Sequence, residues 1–309
     1  MSTLDVSLLG RFRAERQGEI VAGLDATRVQ AVFSYLLLHR GRSHSREAIA
    51  SALWGDNAIG QARKYLRQAL WQLHTALNAT AGDRNRLLLV EQDDVKLDAS
   101  ADVWLDVAVF ERAFTLVQGV RGEDFDARQA RAVQDAVALY RGDLLQDWYD
   151  DWCLYERERL QNMYLALLDK LMDHFDARRD YERSIVYGMA TLRYERARES
   201  THRRLMRLHY LAGDRTTALR QYERCVAVLS EELDVSPAKQ TQALYEAIRA
   251  DHLDGVRGEP HPPLSAGRAP ERLPDVLDRL EHFRSLLDDV HRQVQRDIQA
   301  IERAMLDTD

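Results

Sequence analysis

Between residues 170 and 219 the chain repeats itself at a fixed offset. Lys170-Leu171-Met172 returns as Arg204-Leu205-Met206, Asp180 as Asp214, and Ser184-Ile185 as Ala218-Leu219, every pair 34 residues apart. A fixed period of this length requires one supersecondary unit used twice, and a unit of 34 residues has room for two helices and a turn. Small residues at 184 and 218 predict where paired helices approach closely. The surrounding sequence agrees, since "ALYRGDLLQDWYDDWCLYERERLQNMYLALLDKL" (138–171) and, before it, "DVWLDVAVFERAF" (102–114) read as helical. A chain dominated by stacked helical hairpins of the tetratricopeptide kind is therefore expected from about residue 100 onward.

The first 100 residues follow other rules. VSLLG (6–10) and GEIV (18–21) read as short strands, with a turn at Ala22 to Asp25. Thr27 is placed as the N-cap of a first helix that carries Val29, Val32, Phe33, Leu36 and Leu37 at helical spacing and stops at Gly41. Ser45, with Glu47 and Ala48, opens a second helix ending near Trp54, and Asp56 to Gly60 is a loop. A third helix, Gln61 to Leu77, puts Leu66, Ala69, Leu70, Leu73 and Leu77 on one face. LLLVE (87–91) and VKL (95–97) form a hairpin. Strands, three helices and a closing hairpin make a winged helix-turn-helix.

Charge singles out the third helix. The chain carries −7 overall, yet residues 1–82 hold ten Lys or Arg against six Asp or Glu, net +4, which leaves −11 for residues 83–309. From Asn57 to Gly82 there is no carboxylate at all. A cationic surface in an acidic protein points to a polyanion as partner. Arg63, Arg67, Trp71 and His74 lie along one line of the exposed side, with Lys64, Gln68, Gln72 and Thr75 along the next. Arg63, Arg67 and Gln68 are the candidates for base readout, because arginine pairs with guanine O6/N7 and glutamine with adenine N6/N7. Lys64, and Arg84 and Arg86 ahead of the hairpin, are candidate phosphate ligands.

At these residues the sequence resembles a known family. "SREAIASALWGDNAIGQARKYLRQALWQLHTAL" (45–77), followed by "LLLVEQDDVKLD" (87–98), resembles the OmpR/PhoB-type winged helix of the antibiotic regulatory protein (SARP) family of bacterial transcription regulators. "RRLMRLHYLAGDRTTALRQYERCVAVLSEELDVSPAKQTQALYEAIR" (203–249) resembles the bacterial transcriptional activator domain that follows it in that family. The resemblance implies that the third helix enters the major groove of promoter DNA, that the hairpin is the wing, and that RNA polymerase holoenzyme is recruited, with members sitting side by side on direct repeats. It also implies that the loop residues Asp56, Asn57, Ala58 and Ile59 touch polymerase. One departure stands out: where relatives carry a proline, residues 193–199 read RYERARE.

The expected organisation is thus a winged helix over 1–99, a tetratricopeptide-like activator domain over 100–254, a Pro- and Gly-rich linker over 255–272 and a C-terminal amphipathic helix over 273–309. In that last segment Leu273, Val276, Leu280, Phe283, Leu287, Val290, Val294 and Ile301 keep heptad-like steps, which suits a coiled-coil homodimer and a helix packed on its own chain equally. The fold class is mainly α.

Other classes find little support. GDNAIG (55–60) has phosphate-loop spacing, but Gln61-Ala62 stands where Lys and Ser/Thr must follow. Ten scattered histidines show no HExxH, although His202 and His209 could share a face, and no Gly-x-Ser-x-Gly elbow occurs. No enzyme activity, cofactor or metal is expected. The lone Cys153 and Cys225, and the lack of a long apolar run, predict a cytoplasmic protein with no membrane segment. A second reading remains open at this point, in which the repeats sense a small-molecule effector or bind a protein and the winged helix serves protein contacts.

Overall fold

The computed structural model describes residues 4–78, 87–90, 93–98 and 101–252. Arg84 and Arg86, the wing tip, the linker over 255–272 and the helix expected over 273–309 lie outside the described residues.

The N-terminal half is built on two small sheets. In the first, β1 (Leu4–Ser7) pairs antiparallel with β2 (Arg13–Arg16), which pairs with β3 (Glu19–Ile20). Leu4 and Val6 of β1 are buried and Asp5 between them is exposed, the period-2 alternation of a strand with one wet face. Three helices follow: α1 (Thr27–Leu38), α2 (Arg46–Trp54) and α3 (Ile59–Asn78). Before α2 comes β4 (His44–Ser45), which joins the wing hairpin of β5 (Leu88–Val90) and β6 (Asp94–Leu97) in the order β4-β6-β5. In the hairpin Leu88 faces Leu97 and Val90 faces Val95.

Several expectations need correction. Thr27 is the first helical residue and not the cap: Ala26 is the extended residue before the helix, and its carbonyl accepts from Val29 N and Gln30 N at 2.9 and 3.0 Å. The strand expected at 6–10 runs from Leu4 to Ser7, because Leu8 and Leu9 turn their amides to a side chain, described below. Val103–Leu105, expected to be helical, is a strand, β7. It lies parallel to β1, with Leu4 opposite Val103 and Val6 opposite Leu105, so long-range pairing overrides the local pattern.

Helices α4 (Asp106–Leu116) and α5 (Ala127–Leu139), a 3₁₀ turn at Gly122–Asp124, and α6 (Asp151–Ala177) complete the middle of the chain. They share one continuous core with the winged helix, reaching from Leu4 and Val6 through Phe33, Leu73 and Phe110 to Leu168 and Phe175. Asp106, 2% exposed, fastens the two parts: Oδ2 accepts from Leu8 N and Leu9 N at 2.8 Å, and Oδ1 from Val107 N at 2.7 Å. Burial pushes its pKa up, while these amide donors pull it down. Beside it Leu145 N donates to Leu8 O and Gln146 N to Gly10 O, both at 2.9 Å.

The 34-residue repetition appears as two hairpins, α6 with α7 (Tyr181–Tyr194) and α8 (Glu199–Leu211) with α9 (Arg215–Leu233). Their turns are the same structure. Asp180 N donates to Phe175 O and Asp214 N to His209 O, each at 2.9 Å, and each Asp side chain then caps the next helix through Arg183 N or Thr217 N. The preceding residues, Arg179 and Gly213, both sit at positive φ, +58° and +85°. Ser184 and Ala218 are fully buried at the helix contacts. Gly188 lets α7 approach more closely still: a Cβ there would lie 2.7 Å from Met172 Cε and 2.8 Å from Leu205 Cδ2. A last helix, α10 (Lys239–Arg249), closes a second small core of Met206, Ala218, Leu244 and Ile248. Across RYERARE (193–199) α7 ends at Tyr194, and Arg198 N donates to Glu195 O before α8 begins.

Candidate nucleic-acid interface

The geometry of α3 starts in α2. Ser45 caps α2 by accepting from Ala48 N at 3.1 Å, and Glu47 follows in its first turn. The turn after Trp54 is short, with Asn57 N donating to Trp54 O at 3.0 Å. Ala58 O then accepts from Gln61 N and Ala62 N, so the helix begins at Ile59, earlier than expected. Of the four residues assigned to the loop, Asp56, Asn57 and Ala58 lie in the connection, whereas Ile59 is already helical; all four are exposed, Ile59 to 69%.

From there α3 divides cleanly. Ala62, Leu66, Ala69, Leu70, Leu73, Ala76 and Leu77 are buried, as the three- and four-residue spacing requires. Arg63, Lys64, Arg67, Gln68, Trp71, His74 and Thr75 are exposed, and Gln72 is half-buried. Trp71 is 67% exposed, which takes it out of the core and leaves its indole on the cationic side. Lys64 and Arg67 make no ion pair among the described residues. Arg63 does: its guanidinium meets Glu47 Oε1 at 2.9 Å. Both side chains are largely exposed, so the contact is weak and displaceable. Thr75 turns its hydroxyl to Trp71 O at 2.9 Å, onto its own helix.

Two supports of this face escaped the sequence reading. Glu47 was noted only as a helix-start signal, and nothing in its spacing to Arg63 announces the contact, because the two lie on different helices. Tyr65 is the other. Its ring packs edge-on against Trp54, with centroids 5.9 Å apart, and carries the Arg28 guanidinium 3.6 Å from its centroid, tying α1, α2 and α3 together. The wing offers Lys96, half-buried on β6.

Elsewhere the titratable groups are structural. His202 Nε2 lies 2.8 Å from Arg196 O and its Nδ1 2.8 Å from Gln221 Nε2, so this histidine is held in the repeat core. Among the described residues no group of three His, Cys, Asp or Glu is placed to hold a metal ion. No described helix is long and apolar enough to cross a membrane.

Residues 105–249 match the family model described as the bacterial transcriptional activator domain. The chain is 24% identical over 245 residues to the regulatory protein AfsR of Streptomyces coelicolor, covering 79% of this chain and 24% of AfsR. It therefore spans about a quarter of that protein's length. It is 26% identical over 235 residues to the transcriptional regulatory protein MoaR1 of Mycobacterium tuberculosis, covering 73% of each. A solved structure of Mycobacterium tuberculosis EmbR in complex with a low affinity phosphopeptide superposes with a TM-score of 0.60 at 22% identity, over 82% of this chain and 66% of that one. That likeness extends the fold, winged helix followed by helical repeats, across both halves. With a winged helix preceding the stretch that matches the bacterial transcriptional activator domain, the chain is similar in sequence and in order of parts to these SARP-type transcription regulators.

Proposed function

We propose that this chain is a cytoplasmic, sequence-specific DNA-binding transcription regulator that activates promoters by recruiting RNA polymerase holoenzyme. The observation that carries the reading is the division of α3: a buried apolar face, and an exposed face with Arg63, Lys64, Arg67 and Gln68 in a 26-residue stretch without a carboxylate. In the major groove Arg67 and Gln68 read base edges, and Arg63 joins them once Glu47 is displaced. Lys64 neutralises a phosphate, as do Arg84 and Arg86 ahead of the wing. Trp71, Gln72 and Thr75 lie farther along and contact sugar and backbone. The exposed turn at Asp56 to Ile59 faces polymerase, and two copies sit side by side on promoter repeats. The assignments of 1–99 to DNA, 100–254 to activation, 255–272 to a linker and 273–309 to dimerisation or intramolecular packing belong to the same proposal.

The test is binding to genomic DNA fragments selected by the protein, followed by fluorescence anisotropy across a salt series. Each neutralised phosphate contributes about 0.9 to the slope of log K against log salt. Lys64→Ala is expected to lower that slope by about one unit and leave sequence preference intact, whereas Arg67→Ala relaxes preference at one base pair. Selection that returns no recurring sequence, or affinity that ignores both substitutions, would overturn the groove assignment.

A further inference from the structure

Where the winged helix meets α6, three indoles converge on a small crevice. Trp54 at the end of α2, Trp148 in the segment before α6 and Trp152 in the first turn of α6 line it, together with Arg28 of α1 and Asp150. Trp148 and Trp152 form two walls of a corner, their centroids 6.1 Å apart and their planes at 73°. Trp152 is held in place from behind by the edge of Tyr35, 6.0 Å between centroids. All three indoles are half-buried, so their faces are neither lost in the core nor simply solvated.

The charges are arranged unusually for an apolar dent. Asp150 precedes the first turn of α6, yet its side chain makes no capping hydrogen bond, and it forms no ion pair among the described residues. It is exposed, as are Asp151, Tyr149 and Tyr155 around it, the two tyrosines to 78% and 71%. Arg28, the one cation in the lining, is already engaged over the ring of Tyr65. Aromatic walls with a carboxylate at the rim attract a cation that is bulky, poorly hydrated and unable to demand hydrogen bonds from the indoles. Size narrows the choice. The crevice is small, ≈ 70 Å³, and open on one side, so it takes a compact head group and leaves the rest of a ligand outside. A trimethylammonium head with its attached carbon has that size.

We infer that this crevice binds a small alkylated ammonium ion, with the indoles of Trp54, Trp148 and Trp152 on the methyl groups, Asp150 against the charge, and Arg28 receiving a carboxylate where the ligand has one. Betaine-type zwitterions are therefore preferred over simple quaternary ammonium alcohols. Because the lining comes from α1, α2 and α6, an occupant bridges the helices that carry α3 to the activator domain.

The experiment needs no DNA, so it stands or falls apart from the regulator reading. The full chain is titrated with glycine betaine, choline and the uncharged choline isostere 3,3-dimethylbutan-1-ol, and binding is read by calorimetry and by saturation transfer from the methyl protons. Saturable binding of both cations is expected, with glycine betaine the tighter and the neutral isostere about tenfold weaker or more, since cation–π attraction requires the charge. Asp150→Asn, which removes the charge at nearly constant volume, and Trp148→Leu, which keeps an apolar wall without a π face, should each weaken both cations several-fold in protein that a cooperative thermal transition shows to be folded. Arg28→Gln should abolish the preference for glycine betaine. Equal binding of the neutral isostere, or the absence of saturable binding by either cation in the folded wild-type chain, overturns the inference.

Discussion

Replacing Asp106 with alanine should loosen the molecule at the junction between its N-terminal sheet and its helical part. The carboxylate is buried and satisfies three backbone amides, those of Leu8, Leu9 and Val107. Leu8 also bonds the second oxygen at 3.0 Å. Removing the side chain orphans all three, and each buried N–H left without a partner costs about 1–3 kcal/mol. Water entering the vacated space repairs part of this, so a total of about 3–6 kcal/mol is expected. That is a large share of the roughly 5–15 kcal/mol by which a folded domain is stable. Asp106→Asn supplies the internal control. With its oxygen in the place of Oδ1 it still serves Leu8 and Val107, and its amino group then faces the Leu9 amide, leaving one orphan and a cost of about 1–3 kcal/mol. Urea unfolding followed by tryptophan fluorescence, with hydrogen exchange at Leu8 and Leu9, measures both. The reasoning is refuted if the alanine variant loses less than about 1 kcal/mol, or if asparagine costs as much as alanine.

Other consequences can be checked on the same preparations. Gly188→Ala should destabilise by about 1–2 kcal/mol in denaturant titrations, because the new methyl meets the flexible ends of Met172 and Leu205 and the resulting overpacking outweighs the gain in helix propensity. His39, His174 and His209 all have pKa values that burial lowers below the ordinary 6.5. Below that value the unfolded chain binds more protons at these sites than the native one, so their contribution to stability is intact above pH 6.5 and is lost as pH falls through the lowered values. His39→Asn should flatten the decline in melting temperature between neutral and mildly acidic buffer. Glu111 accepts from Arg40 at the end of α1 and from Arg159 of α6, the latter at 2.7 Å. Both contacts are partly shielded, so a double-mutant cycle on Arg40 and Glu111 should return a coupling of about 0.5–1 kcal/mol at low salt, and a value of zero would show the link to be ornamental.

Much of this was legible because it is periodic. The apolar stripe of α3 and the close helix approaches at Ser184 and Ala218 follow from spacing alone, whereas the matching capped turns at Asp180 and Asp214 emerge only in the structure. What could not be read was mostly pairing between distant segments. β7 looks helical beside its own neighbours and becomes a strand only because β1 offers an edge 99 residues earlier. The role of Asp106 depends on the same long-range approach, as does the contact of Glu47 with Arg63. Thr27 failed for a local reason: a helix can start on a backbone carbonyl without a side-chain cap, and Ala26 supplies it. At the candidate interface, exposure of the cationic residues was predictable from the stripe behind them. So was that of Trp71, which falls on the same line of the helix.

The number of arginines does not by itself distinguish the two ends of the molecule; their partners do. In the repeats, α8 presents Arg204 and Arg207 and the preceding turn Arg198, and each meets an aspartate of α6: Asp173 at 2.5 Å, Asp176 at 2.7 Å and Asp169 at 2.6 Å. Charges neutralised in this way add little to the field a polyanion feels at a distance. On α3, Lys64 and Arg67 have no such partners among the described residues, and Arg63 is held only by an exposed glutamate. The acidic remainder of the chain repels a phosphate backbone while this one helix side attracts it. On the proposed groove reading, an approaching duplex would be oriented before any base is touched, and the shared core running from Leu4 to Phe175 would carry the helical part to a fixed side of it.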